Sequence, residues 1–238
     1  MIDFSVRSLV PECEKFGLVL SDEAVERLEL YGNLLLDRNK EINLTAITEP
    51  SEVLYKHFYD CLLFFAAVDV KNGAEVIDVG TGAGFPAMVL KIARPDIKIT
   101  MLDSLNKRIT FLEEVLDRLS LDGRAIHARA EEGGRDAALR EMFDISCARA
   151  VANLNVLAEY CIPFVKPGGV FVAMKGGQPD PEVAAATGAY RLLGCDKPQI
   201  KLFDLRQNEK RSFIIAKKIS QTSTEYPRNS KKISKAAL

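Results

Sequence analysis

The amino-acid sequence predicts an α/β fold: a mostly parallel β-sheet with helices on both faces, a C-terminal antiparallel hairpin and an N-terminal helical extension. Three observations carry this expectation. From about residue 74 onward, short apolar runs alternate with amphipathic helical patterns, the arrangement that yields crossover βαβ units. A glycine-rich loop follows the first of these runs directly. Near the C-terminus the runs QIKLFDL and RSFIIAKK are separated only by the polar RQNEK, which reads as a hairpin.

Residues 1–70 form the predicted helical extension. In LSDEAVERLELYGNLLLDRN, Ser21 is the N-cap, and Asp22 and Glu23 place carboxylates in the first turn, where the helix dipole favours them. Val25, Leu28, Tyr31 and Leu35 then recur at helical spacing. A second helix is expected over SEVLYKHFYDCLLFFAAV, from Ser51, with the polar loop NKEINLTAITEP between the two. Residues 71–219 form the predicted core. Its strands are AEVIDV, KITMLD, RAIHA, FDISCARA and GGVFVAMK, followed by the hairpin. One helix runs from the glycine loop to about Ala93. Another carries Leu105, Ile109, Leu112, Leu116 and Leu119 on one apolar face, and a third covers LNVLAEYCIPFV. Residues 220–238 are a polar, basic tail, read either as a solvated, frayed terminus or as an arm that contacts phosphate.

Composition narrows the function classes. Apolar residues at 47% and charged residues at 27% suit a globular chain with a real core. The formal net charge of -1 excludes a uniformly basic coat but permits a local basic patch. No run approaches the roughly 18 apolar residues of a membrane span, and no signal peptide is read at the N-terminus. The five cysteines lack C-x-x-C spacing and only two histidines accompany them, so no metal site is expected and reduced, buried thiols in a cytoplasmic protein are. A monomer is expected.

The loop VIDVGTGAGFP carries the chemistry. A dinucleotide fingerprint needs G-x-G-x-x-G, which would require glycine where Phe85 stands. The observed pattern is an acidic Asp78 two residues before Gly80, Gly82 and Gly84, typical of S-adenosylmethionine-dependent methyltransferases. Glycines let the backbone turn tightly and approach a ligand at the carboxyl edge of the first strand. Asp78 suits the ammonium of the methionine moiety, directly or through water. Asp103, at the end of the second strand with Ser104 beside it, suits the ribose hydroxyls. Ala130 and Glu131 follow the third strand where an adenine ring is read; Glu131 reads equally as a helix N-terminal charge. Arg149 ends the fourth strand near cofactor and substrate, or forms a structural salt bridge. No Gly-Lys-Ser/Thr follows the glycines, which excludes a P-loop. No Asn/Asp-Pro-Pro-aromatic motif follows the fourth strand, and Cys147 reads as core. A hairpin ending the sheet is also how the class I (Rossmann-like) methyltransferase fold closes, an analogy of fold only.

The segments EINLTAITEP, HFYDCLLF, VIDVGTGAGFP, MLDSLNKRITFLEEV, SCARAVANLN and AMKGG follow one another in an order that resembles the RsmG family of bacterial 16S rRNA guanine-N7 methyltransferases, also called glucose-inhibited division protein B. The resemblance runs from about residue 15 to residue 228. It implies methyl transfer from S-adenosylmethionine to N7 of a guanosine in the 530 loop, on 16S rRNA or the 30S subunit, with no catalytic base. It implies cofactor contacts at Gly80, Phe85, Ala130, Glu131 and Arg149. Two departures stand out: Ala87, Met88 and Val89 replace the family's Gly-Ile-Pro, and the tail after Tyr226, Pro227 and Arg228 lacks its Gly-x-Pro turn and final Pro-Leu. Lys175, Arg211 and Arg228 are candidates for phosphate contact, with solvated surface charge as the other reading. His57 and Asp60, three residues apart, form a helix-stabilising pair or border the substrate pocket, and the resemblance favours the pocket; Asn43 has the same standing. The rival readings are a methyltransferase of a small molecule or protein, and a non-catalytic cofactor- or RNA-binding scaffold.

Overall fold

A computed structural model describes residues 4–149, 152–206 and 209–238. The chain opens with a 3-10 turn (Arg7–Leu9) and α1 (Val10–Glu14), then the long helix α2 (Asp22–Ile42). Ser21 caps α2 as the sequence predicts, its side chain accepting from Ala24 N at 3.1 Å. Val25, Leu28, Tyr31 and Leu35 are all buried. The second predicted helix is not one regular helix. It is built from α3 (Pro50–Val53), a π-helical stretch (Leu54–Tyr59), α4 (Asp60–Leu62) and α5 (Phe64–Ala67). The wider π turn is a local irregularity common at functional sites. It carries buried His57, with buried Asp60 directly after it.

The core follows as β1 (Glu75–Val79), α6 (Ala87–Ala93), β2 (Lys98–Asp103), α7 (Asn106–Arg118), β3 (Arg124–His127), α8 (Ala130–Gly133), β4 (Phe143–Arg149), α9 (Leu154–Cys161), β5 (Val165–Gly176), α10 (Asp180–Leu192), β6 (Gln199–Asp204) and β7 (Lys210–Lys217). The strand order is β3-β2-β1-β4-β5-β7-β6. β1 to β5 pair in parallel, and β7 runs antiparallel to both β5 and β6. The predicted fourth strand extends to Ala150, and the predicted hairpin turn includes Gln207 and Asn208; these three residues lie outside the described ones.

Period-2 alternation splits the sheet into two apolar faces. Val76, Met101, Cys147 and Val172 pack with the N-terminal extension, α6 and α7. Ile77, Leu102, Ala148 and Ala173 pack with α9 and α10. Arg149 shares the parity of Cys147, so it faces the extension. That placement brings it to the π turn.

The C-terminal tail departs from both sequence readings: it is neither frayed nor a free arm. Arg135 donates to the carbonyls of Pro227 (2.8 Å) and Glu225 (3.0 Å). Arg140 donates to those of Tyr226 and Thr222, both at 2.8 Å. Arg228 forms a two-pronged ion pair with the fully buried Glu159 (2.9 and 2.6 Å). A short helix, α11 (Ser230–Lys235), follows and buries Ile233. Guanidinium forks satisfy the backbone carbonyls of a segment that has no sheet partner.

Candidate functional site

A cleft of about 430 Å³ opens at the carboxyl ends of β1, β2 and β4, where open α/β sheets bind ligands. Gly80 and Gly82 line it with φ of 73° and 62°, a region side chains adopt with strain. A Cβ on Gly82 meets no protein atom within 4 Å, so the glycine leaves its space to the cleft. Gly84 does not line the cleft. Its φ is 104°, and a Cβ there lies 2.9 Å from both the Leu112 side chain and the Tyr31 hydroxyl. Tyr31 in turn donates to Ala83 O at 2.5 Å, tying α2 to the loop.

Asp78 also stands behind the loop rather than on the cleft wall. Its Oδ2 accepts from Thr81 Oγ1 (2.7 Å) and Ala87 N (3.2 Å), which closes the turn. Its Oδ1 is buried with no partner among the described residues. Burial pushes the carboxyl up to about 6. Asp103 does line the cleft: Oδ2 accepts from Gly82 N at 2.9 Å and pairs with Arg108 at 3.1 Å, and Oδ1 accepts from Leu105 N at 2.9 Å. It therefore fixes the glycine loop against β2 as well as presenting oxygens to a ligand. Ser104, Ala130 and Glu131 lie on the same wall, with Leu102, Ala128 and Tyr160 supplying apolar surface.

The opposite wall is built by the extension. Phe85 stacks on His57 with ring centroids 4.7 Å apart, and the Arg149 guanidinium lies 5.0 Å from the Phe85 centroid. Arg149 donates through Nη1 to Lys56 O (2.8 Å) and Asp60 Oδ2 (3.1 Å), and its Nη2 lies 3.0 Å from His57 Nδ1. Asp60 Oδ1 accepts from Arg211 Nε at 3.0 Å. One buried carboxylate thus joins the end of β4 to β7. Burial first, and the Arg149 charge second, push the His57 imidazole down to about 3.

The structure sorts the substrate candidates. His57 lines the cleft, and Asp60 stands behind Arg149. Asn43 is exposed at the C-cap of α2 with φ 49° and is not a lining residue. Its neighbour Thr45 is one, held by Asn39 Oδ1, which accepts from Leu44 N and Thr45 N. Lys175 is engaged internally with Glu182 (2.8 Å) and Ala152 O, and Arg228 with Glu159, so neither is the free phosphate-seeking cation that the sequence suggests. Arg211 is committed to Asp60 in the same way. Sequence reasoning missed Tyr31, Thr45, Thr81 and Arg108. Only Thr81, inside the glycine loop, carried a local signal.

A family model described as "GidB: rRNA small subunit methyltransferase G" matches residues 24–213. The chain belongs to this family. It is 47% identical over 232 residues to ribosomal RNA small subunit methyltransferase G of Acetivibrio thermocellus, covering 97% of this chain and 95% of that one. It is 44% identical over 222 residues to the protein of the same name from Clostridium botulinum, covering 92% and 93%. Among solved structures, it is similar in fold to a 16S rRNA (adenine(1408)-N(1))-methyltransferase mutant from Catenulisporales acidiphilia, with a TM-score of 0.52, 17% identity, and coverage of 64% of this chain and 88% of that one. Its fold is that of the class I methyltransferases, and its methyl donor is S-adenosylmethionine. The donor set fits that cofactor: an open glycine cradle, the carboxylates Asp103 and Glu131 for hydroxyl and amino groups, and an apolar slot between them.

Proposed function

We propose that this protein transfers a methyl group from S-adenosylmethionine to N7 of a guanosine in the 530 loop of 16S rRNA, without a general base. The observation that carries this reading is the state of His57. It is the imidazole of the cleft, and its Nδ1 faces a guanidinium N–H of Arg149 at 3.0 Å. A nitrogen so occupied does not collect a proton from a substrate. Guanine N7 has none to give, since its lone pair is already free.

When bound, S-adenosylmethionine supplies an electrophilic methyl group. The chain supplies position. Gly80 and Gly82 admit the cofactor close to the backbone, Asp103 and Ser104 hold its ribose, and Ala130 and Glu131 hold its adenine. Phe85, stacked on His57 with the Arg149 guanidinium beside both, walls the reacting end from solvent. Asp78 shapes the loop from behind. Burial first, and Arg149 second, keep His57 neutral, and Arg149 brings positive charge close to the reacting end, a fixed field in a partly dry site.

In this reading residues 1–70 are the substrate-facing extension, 71–219 the methyltransferase core, and 220–238 a docked strap beneath α8 and α9. The relatives' printed name, with its small-subunit rRNA substrate, supports the assignment. The protein works as a monomer in the cytoplasm on rRNA or the 30S subunit. Incubation with labelled cofactor and unmodified 30S subunits or 16S rRNA tests it, with chemical cleavage at 7-methylguanosine as the readout. Label absent from guanine N7 overturns the reading.

A further inference from the structure

Thr45 reaches the cleft beside His57 from the α2–α3 loop. The hydrogens around it follow from its partners, one atom at a time. Arginine has only donors. Arg149 Nη2 lies 3.0 Å from His57 Nδ1, so Nδ1 presents its lone pair and the ring hydrogen belongs to Nε2. The Lys56 carbonyl is also 3.1 Å from Nδ1 and has a second lone pair beside the one that receives Arg149 Nη1, so the Arg149 Nη2 hydrogen decides the tautomer. The opposite tautomer sets two N–H groups head to head. His57 Nε2–H therefore donates to Thr45 Oγ1 at 2.8 Å, and Ile47 N–H donates to the same oxygen at 3.1 Å. Both hydroxyl lone pairs are then taken. The hydroxyl keeps one free element, its own hydrogen, and no acceptor among the described residues receives it.

We propose that Thr45, polarised through Arg149 and His57, is a specificity-determining residue that donates a hydrogen bond to O6 of the target guanine. This rests on the reading that guanine N7 is the methyl acceptor. On the edge that carries N7, guanine presents two acceptors, N7 and O6, whereas adenine presents N7 and an N6 amino donor. N7 must stay free to react, so O6 is the group left on that edge for recognition. A hydroxyl with free rotation accepts or donates and tolerates either base. Thr45 is denied that freedom, because two fixed N–H groups occupy its oxygen. An adenine sets a donor against a donor. His57 acts through Thr45 and is a positioning residue.

The test uses 16S rRNA in which the target guanosine is kept or replaced by 2,6-diaminopurine riboside, which puts an amino group where O6 stands. The measured quantity is the ratio of kcat/KM between the two RNAs. Intrinsic differences in N7 nucleophilicity cancel when this ratio is compared between protein variants. Thr45→Val lowers kcat/KM on guanosine about tenfold, the worth of one lost hydrogen bond, and leaves the diaminopurine RNA unchanged or faster. The ratio shrinks by roughly that factor. Thr45→Ser keeps the hydroxyl and the ratio. His57→Phe keeps the stack on Phe85 but frees the Thr45 oxygen to accept, so the ratio shrinks with Thr45 in place. A Thr45→Val protein that keeps the original ratio, or that slows equally on both RNAs, overturns the inference while leaving guanine-N7 methylation intact. An unaltered protein that leaves guanine N7 unlabelled overturns the proposed function and the inference with it.

Discussion

Asp60→Ala is the sharpest test of how the site is held. Asp60 is 2% exposed, and its two oxygens are divided between Arg149 (3.1 Å) and Arg211 (3.0 Å). Removing the carboxylate leaves two guanidiniums facing each other, with the more distant Glu209, 3.7 Å from Arg211 Nη2, as a weaker counter-charge. Breaking a fully buried ion pair costs roughly 3–5 kcal/mol. Here the arginine side chains keep 15% and 19% of their exposure, so water recovers part of the loss. The expected cost is about 2–3 kcal/mol. For a chain of this size each kcal/mol moves Tm by about 2–4 °C, which gives a drop of about 4–12 °C by differential scanning fluorimetry or calorimetry. The double variant Asp60→Ala with Arg211→Met removes one orphaned charge. It is expected to recover stability relative to simple addition of the two single costs by about 1 kcal/mol or more. A Tm drop under about 2 °C, or strict additivity in the double variant, refutes the account of Asp60 as the counter-charge for both arginines.

Four further outcomes are expected. Gly82→Ala strains one backbone position by about 1–2 kcal/mol and points a methyl into open cleft; cofactor affinity by calorimetry falls at least about tenfold with a modest Tm loss. Gly84→Ala meets Leu112 and Tyr31, so its Tm loss exceeds that of Gly82→Ala. Asp78 is pushed up to about 6 from 3.8, so between those values the folded chain holds a proton that the unfolded chain has released. On this group's account stability rises as pH falls from about 6 to about 4, and that gain is absent above about 6. Urea midpoints at about pH 4.5 and pH 7 check this, since Asp78→Asn then compares better with the unaltered protein at the higher pH. Glu159→Ala orphans three donors of Arg228, the backbone N–H and two from the guanidinium. The tail then cleaves faster at Arg228 and Lys231 in limited trypsin digestion, and unchanged cleavage rates refute the strap.

Much of the architecture is legible because periodicity is a local property. The alternation of β1 to β5, the capping of α2 by Ser21 and the hairpin all show in stretches shorter than about 20 residues. Two features are not legible for the same reason. The π-helical stretch Leu54–Tyr59 has an ordinary helical pattern, and the bond its Lys56 carbonyl accepts from Arg149 comes from 93 positions away. α10 has a weak pattern because its buried positions include Ala186 and Ala189, which carry little apolar contrast with the rest of the helix. The glycine loop was legible as a methyl-donor motif. The division of labour inside it was not, since Gly82 opening to the cleft and Gly84 packing against α7 look alike in sequence.

Charge is where the sequence is hardest to read in this molecule. Lys175, Arg211 and Arg228 have the residue type that meets phosphate, and nothing beside them in the chain argues otherwise. Their partners are Glu182, Asp60 and Glu159, which stand 7, 151 and 69 positions away. Asp60 and Glu159 are buried, so releasing Arg211 or Arg228 to a phosphate leaves a poorly solvated carboxylate; Glu182 is 32% exposed, and Lys175 is held by Ala152 O as well. The same distance effect hides Thr45. Its neighbours in INLTAI say only that a threonine lies in a polar loop. Its direction as a donor is imposed by His57, and that of His57 by Arg149, 92 positions further along the chain. A chain of hydrogen-bond polarity has no sequence spacing, so it becomes readable only when the β4 edge and the π turn are brought together.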